Sequence, residues 1–142
     1  MRGNKRYGLI ISCALLLAPL SGVAAQDSGP TVTTLLSTGA TIVGETLHYP
    51  SGAAHVTAEI VTLPPGVRTA PHKHGVPMFA YILDGEITVD YGDRGKRTYH
   101  QGDSIMEAMD VAHFGTDAGA QPVRILVVFM GAEGAADTIP VK

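Results

Sequence analysis

The side chains most able to do chemistry in this chain are its six histidines, and the question is which of them can converge. His72 and His74 lie two apart in an extended segment after Pro71, so both imidazoles leave the same face of a strand. Neutral imidazoles suit Zn, Cu, Fe and Ni, and two on one face could begin a metal site. A lone His-x-His is a weak signal, because two surface histidines near a loop give the same spacing. Three contexts strengthen it: Gly66 stands six residues before His72, Gly85 stands eleven after His74, and a second cluster brings His113. His48, His55 and His100 have no partner at strand spacing and read as surface or rim residues. The single cysteine, Cys13, lies in the N-terminal apolar run, so metal chemistry in the remaining chain falls to His and carboxylates.

The elements that must position these residues read as strands. Seventeen Gly and nine Pro against three Phe and no Trp favour many turns between short segments, which points to an all-β architecture. Strand runs are expected at Thr31 to Leu36, Thr41 to Val43, Val56 to Leu63, Met78 to Leu83, Glu86 to Tyr91, Lys96 to Tyr99, Ser104 to Met106, His113 to Thr116 and Arg124 to Met130. Pro64-Pro65-Gly66, Asp84-Gly85 and Gly92-Asp93-Arg94-Gly95 carry turn chemistry, since Pro fixes φ and Gly accepts positive φ. The runs flanking Asp84-Gly85 are expected to pair as a hairpin. In its second arm Ile87, Val89 and Tyr91 alternate with Thr88 and Asp90, placing one face in the core. Arg124 to Met130 is apolar without alternation, as in a strand covered on both faces. Gln26 to Pro30 and Gly131 to Lys142 read as loose ends.

The stretch from Gly66 to Asp117 resembles the cupins, small double-stranded β-helix (jelly-roll) barrels with two metal-bearing motifs. Gly66, His72, His74 and Gly85 match the first motif, about residues 66–85, with Met78 where the family usually has Glu. The second, about residues 102–117, is matched by Gly102 and His113, with Ala108 in place of Pro, Asp110 in place of the second Gly and Asp117 in place of Asn. The resemblance implies that His72, His74 and His113 are ligands of a divalent transition metal such as Fe, Cu, Ni or Zn. Three neutral imidazoles on a rigid barrel would cap one side of the ion and leave positions open for water or substrate.

Met78 is the informative departure. Without its carboxylate the site would keep a formal charge of +2 instead of +1, favouring anionic or chelating oxygen ligands and weakening its hold on hard ions such as Mn. Met78 reads as an apolar filler of the pocket wall, with a thioether bond to copper as the sharper alternative. Glu107, six residues before His113, could supply a carboxylate from the opposite strand, but reads better as a solvated rim residue. Phe79, Tyr81, Met106, Met109 and Phe114 could line an apolar pocket around the ion, and core packing explains them equally well.

The 142 residues suit one domain. Residues 1–25 read as a secretory signal: a basic start, a short apolar run and Val23-Ala24-Ala25 before the cut. Residues 26–142 then form a single cupin domain, exported to the periplasm or the medium and without a membrane anchor. Removing Arg2, Lys5 and Arg6 leaves 7 bases against 13 acids, so net charge moves from −3 to −6 and nucleic-acid binding loses support. The expected function is metal-dependent, dioxygenase-type or other Lewis-acid chemistry on a small oxygen-rich chelating substrate. A noncatalytic metal or small-ligand binding module is the alternative, and a metal-free storage cupin a third. The resemblance also implies a homodimer.

Overall fold

Period-two alternation of apolar residues, broken by Gly and Pro turns, forms nine strands in the computed structural model, which describes residues 29–141. They are β1 (Ala54–Leu63), β2 (His72–Lys73), β3 (Met78–Asp84), β4 (Glu86–Asp90), β5 (Lys96–His100), β6 (Ser104–Met106), β7 (Phe114–Asp117), β8 (Val123–Ala132) and β9 (Ile139–Pro140). The only helical turn among the described residues is the 3-10 turn Gly92–Arg94. The chain divides into two units, Met1–Val32 and Thr33–Lys142. Of the first, only residues 29–32 are described, and they are exposed. The expected leader, its cut after Ala25 and Cys13 lie outside the described residues.

All strand pairs are antiparallel. One sheet has the order β1-β8-β3-β6, a second β5-β4-β7, and a two-stranded pair joins β2 to β9. This is the all-β jelly roll expected from the motifs. Ala80, Ile82, Ile105, Ile125, Val127 and Phe129 from the first sheet meet Ile87 and Val89 from the second in one buried cluster. The alternation expected in β4 holds, with Ile87 and Val89 buried between half-buried neighbours. In β8 one face is buried, while Leu126, Val128 and Met130 on the other are half-buried and Arg124 is exposed.

Four expectations are corrected. Thr31 to Leu36 forms no strand; the segment is extended and mostly exposed, touching β6 where the Ser104 hydroxyl donates to the Leu35 carbonyl at 2.6 Å. Thr41 to Val43 is a turn, closed by the Ala40–Thr46 bridge. The strands flanking Asp84-Gly85 do not pair with each other: β3 belongs to the four-stranded sheet and β4 to the three-stranded one. A single residue, Gly85, joins them, whereas a hairpin needs at least two. Gly85 instead turns a corner between sheets at φ 76°, and a Cβ there would stand 2.9 Å from the Val123 Cα. The C-terminal stretch is no loose end, because β8 runs to Ala132, Val141 N–H donates to the Pro71 carbonyl at 3.1 Å, and β9 pairs with β2.

Candidate metal centre

β2 begins at His72, and the following turn carries His74, so the extended spacing delivers both imidazoles to the barrel interior. His113 enters from the residue before β7 and is locked to His72 by two backbone hydrogen bonds of 2.9 Å, one in each direction. The donor atoms of His72, His74 and His113 lie within 4.8 Å of one another. Ring centroids are 4.6 Å apart for His72 and His113, and 5.1 Å for each of the other pairs.

Each ring is held by a carbonyl at Nδ1. His72 Nδ1 meets the Ala70 carbonyl at 2.7 Å, His74 Nδ1 that of Asp137 at 3.0 Å, and His113 Nδ1 that of Val111 at 2.9 Å. A carbonyl can only accept, so each Nδ1 carries its proton and each Nε2 keeps a lone pair for another partner. Burial pushes the His74 imidazole down to about 4, and the neighbouring His113 and His72 add to the effect against the Asp137 carbonyl. Burial also lowers His72, opposed by the Ala70 carbonyl. Both rings are therefore neutral near pH 7. Among the described residues, one buried side-chain nitrogen or oxygen lacks a hydrogen-bond partner, and it is His74 Nε2. An orphaned lone pair beside two other imidazoles fits a divalent metal by both donor chemistry and geometry.

The cavity holding the three rings has a volume of ≈180 Å³. Its walls are mostly apolar, with Met78, Ala80, Ile82, Ile125 and Phe129 among them, and Glu59, Thr69, Thr138 and Glu107 as further polar residues. Met78 stands in this wall. The other pocket expectations are corrected. In β3 it is Met78, Ala80 and Ile82 that face in, so alternation sends Phe79 and Tyr81 to the outer face. Met106 points outward for the same reason beside the inward Ile105, and Phe114 lies outside the cavity with the Arg68 guanidinium 5.0 Å over its ring. Met109 is buried but does not line the cavity. His48, His55 and His100 are exposed, as expected of surface residues.

Glu107 is no rim residue. It is 4% exposed, it lines the cavity, and its carboxylate accepts the Ala108 N–H at 2.7 Å. Burial and the Glu107 charge raise the Tyr91 phenol, which stays protonated and stands 3.2 Å from the Tyr99 hydroxyl. A signal for this placement was present: Glu107 is two residues from Ile105, on the same face of an extended run. Glu45 gave no such signal. Its carboxylate collects the N–H groups of Met109 at 2.8 Å, Asp110 at 2.9 Å and Val111 at 3.1 Å, together with the Thr41 hydroxyl at 2.9 Å. That loop supplies the carbonyl of Val111 to His113 and the carbonyl of Met109 to the His74 N–H.

A three-histidine cluster inside a two-sheet β-barrel defines a cupin of metal-binding type. The family profile described as "Cupin domain" matches residues 59–129, and the chain belongs to that family. Among solved structures it is similar to Bacillus subtilis oxalate decarboxylase at pH 4.6, with 23% identity, 61% of this chain and 23% of that chain covered, and a TM-score of 0.50. It is likewise similar to the formate complex of Lactobacillus farciminis oxalate decarboxylase, with 23% identity, 61% and 26% coverage and a TM-score of 0.51. The match spans about a quarter of those chains, and at this identity the likeness is one of fold. No curated protein sequence matches this chain.

Proposed function

We propose that this protein is an exported cupin that binds one divalent transition metal through His72, His74 and His113 and uses it on a small, oxygen-rich substrate. The observation that carries this reading is the buried, partnerless Nε2 of His74, set among rings whose Nδ1 protons are all committed to carbonyls. A bound ion would supply Lewis acidity or oxygen activation. The chain's own residues fix the imidazole tautomers, exclude bulk water with a mostly apolar wall, and bring the Glu107 carboxylate to the cavity. The ≈180 Å³ cavity is well below the roughly 300 to 1,000 Å³ of pockets for drug-sized ligands, which supports a substrate of a few heavy atoms.

Elemental analysis of the purified protein tests this directly. About one metal per chain is expected, most of it lost in His113→Ala and retained in His48→Ala. Unchanged metal content in His113→Ala would overturn the site. Oxygen consumption or substrate turnover by the loaded protein, over a panel of small diketones, hydroxy acids and thiols, separates the enzyme from a metal-binding module without turnover.

Export and dimerisation belong to the same proposal. Cleavage after Ala25 gives a mature chain starting at Gln26, which mass spectrometry of the secreted form reads. The outer face of the four-stranded sheet carries exposed Val56 and Ile60 on β1 beside half-buried Leu126, Val128, Phe79 and Tyr81. Such a face supports a homodimer, and sedimentation should show Ile60→Glu as a monomer.

A further inference from the structure

We infer that Glu107 supplies the charge-balancing carboxylate of this metal site, moved one strand across from the position where Met78 stands. The inference rests on the metal reading above and concerns which side chain completes it. Phe79 pairs with Met106 in the β3–β6 register, and the Glu107 N–H donates to the Met78 carbonyl at 2.9 Å. Met78 and Glu107 are therefore opposite neighbours on adjacent antiparallel strands, and opposite neighbours share a face. Both line the cavity that holds the three imidazoles. Exchanging the residue types at such a pair, apolar on one strand and acidic on the other, keeps one carboxylate at nearly the same place on the wall.

Burial makes the charge argument. Glu107 is 4% exposed, yet the ion pairs among the described residues engage only Asp84, Glu86, Asp90 and Asp103. A buried carboxylate without a cation is costly, and the groups around Glu107 do not supply one: Ala108 N–H anchors one oxygen, and Tyr91 is a neutral phenol. The Nδ1 protons of His72, His74 and His113 are committed to the carbonyls of Ala70, Asp137 and Val111, so none of them is free to pair with Glu107. A divalent ion on three neutral imidazoles brings +2, and Glu107 returns the cavity to +1. The missing acid at position 78 then no longer implies a site biased against hard ions.

The test compares wild type, Glu107→Gln, Glu107→Asp, and Glu107→Gln combined with Met78→Glu, with retention of Mn(II) and Cu(II) measured against a chelator. Gln keeps one oxygen for the Ala108 N–H and replaces the other by an uncharged NH2 group, which donates and cannot accept. Expected for Glu107→Gln is a loss of metal affinity of roughly 10- to 100-fold, larger for Mn(II) than for Cu(II). Glu107→Asp, which keeps the charge, should stay closer to wild type, and Met78→Glu in the Gln background should restore Mn(II) retention. The metal-free melting temperature of Glu107→Gln should equal or exceed that of wild type, because an uncompensated buried charge is gone. If wild type binds metal and His113→Ala loses it, but Glu107→Gln holds both ions as wild type does, this inference is overturned while the three-histidine site stands. A lower metal-free melting temperature with unchanged metal affinity would make Glu107 a structural hydrogen-bond acceptor and overturn it too. If wild type itself takes up no metal, the parent reading fails first.

Discussion

The segment that matches the cupin family, residues 59–129, and the two stretches outside it do different work at the same centre. The matched segment contains all three imidazoles and the carbonyls of Ala70 and Val111. The outer stretches hold them in place. From the N-terminal side, Glu45 gathers three N–H groups of the loop that presents His113. From the C-terminal side, the Asp137 carbonyl accepts a hydrogen bond from the His74 Nδ1–H, and Ile139 and Pro140 pair with Lys73 and His72. Ligation needs a particular side chain, whereas orientation needs only an acceptor at the right place. Family motifs therefore record the first and pass over the second. The loop at 108–111 illustrates the point. Ala108 and Asp110 stand where the family has Pro and Gly, and the loop without that Pro is held by a carboxylate more than sixty residues away.

The largest effect on this comparison is expected from Glu45→Ala. Burial raises the Glu45 carboxyl, but hydrogen bonds from Met109, Thr41, Asp110 and Val111 outweigh it and hold the group below its ordinary value. Removing the carboxylate leaves those N–H groups without their acceptor, at a cost of about 2 to 3 kcal/mol in urea unfolding of the metal-free protein. Because the loop aims His113, metal affinity should also fall, by roughly 10-fold or more. A chelator competition on Glu45→Ala showing wild-type affinity would mean that the outer stretch supports the fold and not the site.

An acid titration of the metal-free protein sharpens the same contrast from the ligand side. The folded His74 imidazole sits at about 4 against an ordinary value of 6.5, so between these values the unfolded chain binds the extra proton. Stability is fully present above pH 6.5 and is lost as the pH falls towards 4, by an amount on the order of a few kcal/mol. Glu45, lowered instead from 4.5, keeps its contribution above that value and loses it only as the pH falls through its lower folded pKa. The first loss on acidification thus belongs to the imidazole and the later one to the clamp. His74→Gln should shrink the first to the part that His72, also lowered by burial, contributes, and Glu45→Gln should weaken the second, as followed by urea midpoints across pH.

Much of the fold was legible because alternation and turn chemistry are local. Glu86 to Tyr91, Ser104 to Met106 and Arg124 to Met130 are strands or strand interiors as their patterns require. The Asp84-Gly85 hairpin failed because the choice between turning back and crossing to another sheet depends on tertiary partners, here β8 for β3 and β7 for β4. At the site, spacing alone put His72 and His74 on one face, and the motif brought in His113. Parity was the neglected signal: once Met78 is inward, Phe79 and Tyr81 must be outward, and once Ile105 is inward, so is Glu107. The supports from Glu45 and Asp137 could not be read, since no local pattern marks a carboxylate or a carbonyl that acts across more than sixty residues.

The smallest expected effect comes from Gly75→Ala, which presses on the C-terminal support without touching a ligand. Gly75 follows His74, and a Cβ there would run into the Ala136 carbonyl oxygen, with the Ile139 Cδ1 at 3.3 Å. The obstacle is backbone, so the 136–139 segment must retreat. Asp137 lies in it, and its carbonyl holds His74 Nδ1 at 3.0 Å, with the Thr138 hydroxyl 3.5 Å from the same nitrogen. As that hold loosens, the His74 ring gains freedom to turn its Nε2 away from the other two imidazoles. A few-fold loss of metal affinity is expected, below the roughly 10- to 100-fold range for outright removal of such a partner. The crowding itself should lower stability by about 1 to 3 kcal/mol. The two effects are separable by adding Ile139→Val, which relieves the contact with Ile139 but not the one with the backbone. If Ile139→Val restores metal affinity completely, the Asp137 carbonyl is not what orients His74, and the C-terminal stretch acts through packing alone.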